Sequence, residues 1–223
     1  MREALEQGKL RSVYDHTARR YDAQHAFFTG RSDQLGRELL VEHAVSAGDR
    51  ILDCGAGTGA TSLLAARKVG PGGKVVMLDM SEGMLEVART KAEQSGLQDR
   101  LEIRVGDILH LPFGEGSFDT VLSTYSLCPV YDPAQGAKEL YRVTRPGGLI
   151  GIAHSTEPDT PWVRWMADKV ENIVWMMPYL SLGCRAVSVL PTFEQLGCKT
   201  NFKKKIGIPL WPFIVFVVEK PSA

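Results

Sequence analysis

Ile51-Leu52-Asp53-Cys54-Gly55-Ala56-Gly57-Thr58-Gly59 decides the reading of this 223-residue chain, together with Leu78-Asp79 at the end of a second apolar run. The pattern is a buried strand, a glycine turn and a helix, followed by a second strand that closes on a carboxylate. A parallel sheet builds a nucleoside pocket in this way. Gly55 and Gly57 can take backbone angles closed to other residues and let a ligand lie on the bare chain. Gly59 allows the next helix to pack close to the sheet. Asp79 follows Asp53 by 26 residues, near the roughly 20-residue offset at which an acidic side chain meets a ribose in dinucleotide folds. A carboxylate there can accept charge-assisted hydrogen bonds from vicinal hydroxyls.

The glycine turn alone also fits a nicotinamide or flavin fingerprint, with Ala60 in its last position. Asp53 argues against a diphosphate, because its charge stands just before the turn where a phosphate would seek a helix N-terminus. The ammonium of a methionine moiety would be attracted by the same charge. A nicotinamide oxidoreductase would further need a Tyr-x-x-x-Lys pair or its equivalent, and the second half of the chain has no Tyr followed four residues later by Lys. A turn that holds no ligand, and a cofactor-binding regulatory protein without an acceptor site, are the other readings of the motif.

Apolar runs at Arg50–Cys54, Lys74–Asp79, Leu101–Val105, Phe118–Ser123 and Leu149–His154 alternate with helix-like segments, which predicts a parallel sheet with helices on both faces. Ser81 is a good N-cap for a helix whose Met84, Leu85 and Ala88 share one face. Asp132 and Pro133 form the start of another helix, and Arg145-Pro146-Gly147-Gly148 its stop. Lys199–Ile206 and Trp211–Glu219 read as two strands around Gly207-Ile208-Pro209. The chain before Tyr14 and residues 162–180 look helical and lie outside the alternation.

Composition sets broad limits. The 26 basic and 26 acidic residues cancel, so no broad electrostatic surface for nucleic acid is expected; Lys203-Lys204-Lys205 reads as a solvated run. The polar opening from Met1 to Lys9 lacks a signal-peptide pattern, and a cytoplasmic location is the default expectation. Cys54, Cys128, Cys184 and Cys198 form no CxxC pair and have no histidine cluster, so no metal site is expected and reduced thiols are. A sharper alternative has Cys128 and Cys184 approaching the acceptor pocket and binding a soft element such as arsenic.

Beyond Asp79, the chain carries Ser81-Glu82-Gly83-Met84, Gly106-Asp107, Leu111-Pro112-Phe113, Ser117-Phe118-Asp119 and Arg145-Pro146-Gly147-Gly148. In that order these motifs resemble the class I S-adenosylmethionine-dependent methyltransferases, most closely the UbiE-type branch that methylates quinone precursors, over about Tyr14 to Pro158. The resemblance implies an α/β fold: a Rossmann-like, doubly wound, seven-stranded, mostly parallel sheet with a terminal antiparallel pair and a small helical cap. It implies one domain over 1–223, with an N-terminal helical cap (1–45), a cofactor-binding core (46–158), a helical insertion over the acceptor site (159–182) and C-terminal strands (183–223). The cofactor would be S-adenosyl-L-methionine, with Asp53, Gly55, Ala56, Gly57 and Thr58 around its methionine part. Asp79, Met80 and Met84 would meet the ribose and adenine, Asp107 the adenine amino group, and Ile108 the ring. Ser123 and Tyr125 would lie near the sulfonium, and Tyr21 would close the pocket from the N-terminal side.

Methyl transfer needs little acid or base from the protein, since alignment and exclusion of water lower the barrier. His154, Tyr125, Tyr131 and Glu157 are candidates to tune the acceptor, although a structural hydrogen-bonding role for His154 is an equal reading. The Trp- and Met-rich segment 162–180 suits core packing, a greasy acceptor pocket or an interfacial helix at a membrane. Ala153-His154-Ser155-Thr156-Glu157-Pro158 and Leu210-Trp211-Pro212-Phe213 depart from the quinone branch and look more like phospholipid N-methyltransferases and small-molecule thiol methyltransferases. The expected acceptor is a small lipophilic molecule: a quinone-precursor carbon first, a lipid amine second, a small thiol third. Oligomeric state is not legible.

Overall fold

The computed structural model describes residues 6–29, 31–175, 182 and 184–222. Five predicted strands appear in register order: β1 (Arg50–Cys54), β2 (Lys74–Asp79), β3 (Leu101–Val105), β4 (Phe118–Thr124) and β5 (Thr144–Ser155). They are followed by β6 (Lys199–Ile208) and β7 (Trp211–Glu219). The seven strands form one sheet in the order β3-β2-β1-β4-β5-β7-β6. The first five are parallel, and β7 runs antiparallel to both β5 and β6. The order reverses between β1 and β4, and such a switch point opens a crevice at the strands' carboxyl ends.

Period-two alternation sends each strand's side chains to opposite faces. Leu52, Val76, Val121 and Ile150 enter one core, where Leu140 of α6 (Pro133–Val143) and Phe193 of a short helix, α8 (Leu190–Gln195), meet them. Ile51, Val75 and Leu122 enter the other, against Leu40 of α3 (Ser32–Ala44) and Ala65 of α4 (Ala60–Val69). Gly151 permits this second contact, since a Cβ there would sit 2.2 Å from Leu40 Cδ2.

The predicted caps are in place. Ser81 Oγ accepts from the Met84 amide at 3.1 Å at the start of α5 (Glu82–Gln94), and Asp132 accepts from Gln135 at 2.9 Å with Pro133 opening α6. The β4 and β6 strands each run one or two residues longer than expected, and two larger differences appear. The fifth strand begins at Thr144, five residues earlier than its apolar run, because the Gly147 amide donates to the Lys220 carbonyl and the Lys220 amide to the Gly148 carbonyl, which extends the pairing. Helix α8 lacks a full apolar period and was not legible. Ahead of the sheet lie α1 (Gln7–Thr17) and α2 (Tyr21–Thr29), and α7 (Pro161–Trp175) follows β5. The expectation for 176–180 falls outside the described residues.

Candidate active site

The turn after β1 is built on three left-handed glycines: Gly55, Gly57 and Gly59, at φ 73°, 53° and 81°. Each is glycine for a separate reason. A Cβ on Gly55 would lie 2.1 Å from Ser126 Cβ, so the β1 and β4 turns can pass only if one is bare. Gly59 sits 3.0 Å, by the same measure, from Ala88 Cβ and lets α5 close on the turn. Gly57 faces open space, with nothing within 4 Å of its virtual Cβ, so a ligand can approach the backbone there.

Asp79 ends β2 beside that opening. Its Oδ2 accepts from the Gly57 amide at 2.8 Å and its Oδ1 from the Ser81 amide at 2.9 Å. Burial raises its carboxyl above the ordinary range, while these amide donors act to lower it. A carboxylate has about four lone-pair sites, so both oxygens keep acceptor capacity. The Gly57 amide, which a diphosphate would need, is already taken by a negative group.

The cleft above this pair encloses about 790 Å³, including its open mouth. Of the expected residues, Tyr21, Gly55, Gly57, Asp79, Met80, Met84, Asp107, Ile108 and Tyr125 line it, as does Tyr131 at its rim. The structure does not bring Asp53, Ala56, Thr58, Ser123 or His154 into that lining. Asp53 is wholly buried on the α4 side of β1, where Oδ2 accepts from Ser62 Oγ at 2.5 Å and Oδ1 has no partner. Burial pushes its carboxyl up to about 6, against the Ser62 hydrogen bond and the charge of Arg37. Ser123 shares a 2.5 Å hydrogen bond with Ser126, and it is Ser126, with Thr124, that reaches the cleft.

His154 lies in the core, edge-on to Phe216 at 6.0 Å. Its Nδ1 is 2.8 Å from the Ser155 carbonyl, and its Nε2 is unpaired. Burial drives it down to about 4, and it stays neutral near pH 7. The ring therefore has the structural placement rather than a place at the cleft. Glu157 is exposed and pairs with Arg164 at 3.3 Å.

Tyr125 takes a left-handed conformation at φ 59°, uncommon for a residue with a side chain. Its amide bonds to the Ala153 carbonyl at 2.7 Å, and its ring is held by Arg37, 5.0 Å from the ring centre, His25 at 5.3 Å and Phe213 at 5.2 Å. Burial raises the phenols of Tyr21 and Tyr125 far above their ordinary value. Both are neutral donors at working pH, and neither can serve as a base.

Several contributors were missed in the sequence. Gln7 on α1 donates to Asp107 Oδ2 at 2.8 Å, while the Leu109 amide donates to Oδ1 at 2.9 Å. Asp15 caps the N-terminus of α5 through Ser81 Oγ at 2.5 Å and the Gly83 amide at 3.1 Å. His25 lies between Tyr21, stacked at 5.3 Å, and Asp33, 3.1 Å from its Nδ1. Although burial opposes it, the donors His25 and Thr29 and the charge of Arg37 hold Asp33 well below the carboxylate range. An aspartate eight residues after a histidine on a different helix carries no spacing signal; only the fold pairs them.

Residues 45–184 match the model of a family described as a methyltransferase domain. A demethylmenaquinone methyltransferase of Symbiobacterium thermophilum is 34% identical over 157 residues, covering 70% of this chain and 62% of that protein. One of Clavibacter sepedonicus is 39% identical over 159 residues, again 70% and 62%. The chain thus covers less than two thirds of these relatives' length. The solved structure of a geranyl diphosphate methyltransferase in complex with SAM shares the fold, with a TM-score of 0.65 at 18% identity over 82% of this chain and 84% of that one. With a glycine turn, a carboxylate-closed second strand and this match over most of its length, the chain belongs to the methyltransferase-domain family.

Proposed function

We propose that this protein is an S-adenosyl-L-methionine-dependent methyltransferase that methylates a carbon of a lipophilic quinone precursor. The carrying observation is the Gly57–Asp79 hydrogen bond, which sets a carboxylate at the edge of a bare-backbone cleft walled by Met80, Met84 and Ile108. That carboxylate fits a nucleoside with free vicinal hydroxyls and a cationic sulfonium linker, and it repels a diphosphate. When bound, the cofactor supplies an electrophilic methyl group.

Asp79 would hold the ribose hydroxyls, Asp107 the adenine amine, and Ile108 and Met80 the ring. Gly55 and Gly57 would let the methionine part lie against the backbone, with Ala56 and Thr58 shaping the turn from behind. Asp53 acts from beneath the turn through Ser62. Tyr21 and Tyr125 close the acceptor side as neutral walls that exclude water. His25, beside Asp33, packs against the rings of both Tyr21 and Tyr125 and would fix where these walls stand.

The relatives' names support the quinone reading over amine or thiol acceptors. Trp162 and Trp165, 65% and 63% exposed on α7, and Met166 at 40% support a peripheral membrane contact through 162–180, where a lipophilic acceptor would be collected. Among the described residues no helix is long and apolar enough to cross a membrane. The deciding experiment combines calorimetry of S-adenosylmethionine, S-adenosylhomocysteine and NADH with transfer of a labelled methyl group to demethylmenaquinol. Cofactor binding with label on a ring carbon is expected. Tighter NADH binding, or label appearing only on amines or thiols, overturns the reading.

A further inference from the structure

One face of α1 borders the cleft. Gln7, Leu10 and Tyr14 all line it, at the spacing that sets side chains along one side of a helix. The helix is fastened to the start of α5: Arg11 Nη2 bonds Glu82 at 3.0 Å, and Asp15 accepts from Ser81 Oγ at 2.5 Å and from the Gly83 amide at 3.1 Å. Held there, α1 brings Gln7 to Asp107, 100 residues away in sequence, and Gln7 Nε2 donates to Asp107 Oδ2 at 2.8 Å.

A carboxylate only accepts, so the nitrogen end of the Gln7 amide has to face it, and that nitrogen carries two N–H groups. One is used on Asp107, and the other meets no partner among the described residues. Asp107 keeps capacity as well. Its Oδ1 takes the Leu109 amide at 2.9 Å, and His110 Nδ1, 3.8 Å from Oδ2, is beyond hydrogen-bond reach. With about four lone-pair sites on a carboxylate, an open acceptor and an open donor stand next to one another on the wall that holds Ile108 and Leu10. An adenine edge carries the complement: a 6-amino donor flanked by a ring-nitrogen acceptor, N1 on one side and N7 on the other. A 6-oxopurine puts a carbonyl oxygen where the amine would be, against the lone pairs of the carboxylate.

We propose that Gln7 is a specificity-determining residue of the cofactor site, which with Asp107 reads the 6-aminopurine edge: Asp107 accepts from the amine, and Gln7 donates to the ring nitrogen beside it. The inference rests on the nucleoside reading of the cleft and adds the residue that selects the base. Helix α1 thereby supplies a polar contact to the cofactor besides covering it.

The test is calorimetry of the full chain with S-adenosylhomocysteine, its 6-oxo analogue S-inosylhomocysteine, and its 1-deaza and 7-deaza analogues. The parent should bind the inosyl compound about 100-fold more weakly, the scale of a lost hydrogen bond to a charged group. It should bind one of the two deaza compounds about 10-fold more weakly, the scale of a lost neutral bond. Gln7→Met keeps the length of the side chain and removes the donor, at an exposed position. In that variant the deaza penalty should vanish, while the inosyl penalty stays at about 10-fold or more. A merely structural role would loosen α1, weaken every one of these ligands by one factor and leave their ratios untouched. That result overturns the proposal, as does a parent that binds both deaza compounds as tightly as S-adenosylhomocysteine. Asp79→Ala separates the two readings. If it weakens S-adenosylhomocysteine while Gln7→Met keeps the parent's deaza ratio, the Gln7 assignment alone falls; if the parent does not bind S-adenosylhomocysteine, the nucleoside reading falls with it.

Discussion

Thr58 of the glycine turn donates to Asp22 Oδ1 of α2 at 2.6 Å, while Lys91 of α5 bonds the other carboxylate oxygen. One side chain thus fastens the N-terminal cap to both elements that frame the cleft. Tyr21 precedes Asp22 directly, so the latch also sets where that ring stands over the opening.

Asp22→Ala should release α2 without harming the sheet. Asp22 is about half exposed, so the loss of global stability is expected to be about 1 kcal/mol or less. Hydrogen exchange across 7–29 should quicken while that of β1, β2 and β4 stays unchanged. Uniformly faster exchange would show that the cap is not a separate unit.

Asp79→Ala removes the carboxylate that the Gly57 and Ser81 amides hold in place. Cofactor binding should weaken by about 1.5 to 3 kcal/mol for each charged hydrogen bond lost, read by calorimetry. An unchanged dissociation constant would place the ribose elsewhere.

Gly55→Ala and Gly57→Ala should separate folding from binding. Both place a Cβ at positive φ, which costs about 1–2 kcal/mol. At Gly55 the added carbon also collides with Ser126, for a further 1–3 kcal/mol or so of overpacking. At Gly57 the carbon enters the cleft itself. The first variant should lose more stability in urea, and the second should lose cofactor affinity with its fold largely kept.

Asp53 and His154 titrate against each other. The carboxyl of Asp53, raised from 3.8 to about 6, keeps in the native state a proton that the unfolded chain has released, so stability falls as pH rises from about 4 to about 6. The ring of His154, lowered from 6.5 to about 4, refuses in the native state a proton that the unfolded chain accepts, so stability falls as pH drops from about 6.5 to about 4. These slopes oppose one another, each of the order of 2–3 kcal/mol at about 1.4 kcal/mol per pK unit. Asp53→Asn should therefore unmask acid sensitivity, and His154→Leu a loss of stability between pH 4 and 6. Urea titrations at pH 4.5, 6 and 7.5 measure both, and parallel behaviour of the two variants would refute the pairing.

His25→Gln should loosen the Tyr21 and Tyr125 rings that it packs against, lowering kcat by about 10-fold, roughly 1.4 kcal/mol, while cofactor affinity changes less. Asp33→Asn should act in the same direction but less strongly, since it orients the ring. Equal loss of cofactor binding in both would make the pair structural.

The succession of strands along the chain, the glycine turn, the capped helices and most of the cleft wall were legible because they are local. An apolar run ending in Asp53 or Asp79, or Ser81 three residues before Met84, is specified within one element and its turn. Which side of β1 Asp53 occupies depended on pleat and on Ser62 of α4, and it came out beneath the turn. His154 had the strand-end position of a functional residue, yet the packing of Phe216 buried it.

The sequence by itself determined a doubly wound sheet and the crevice where its order reverses, since hydrophobic period and turn chemistry act over neighbouring residues. Tertiary structure alone decided what covers that crevice: Gln7 on Asp107, Asp15 on the start of α5, Asp22 on Thr58, and His25 beside Asp33. Each joins polar groups from separate segments, and such a bond leaves no period or spacing in the chain. It forms only after burial of the two apolar cores has brought those segments together.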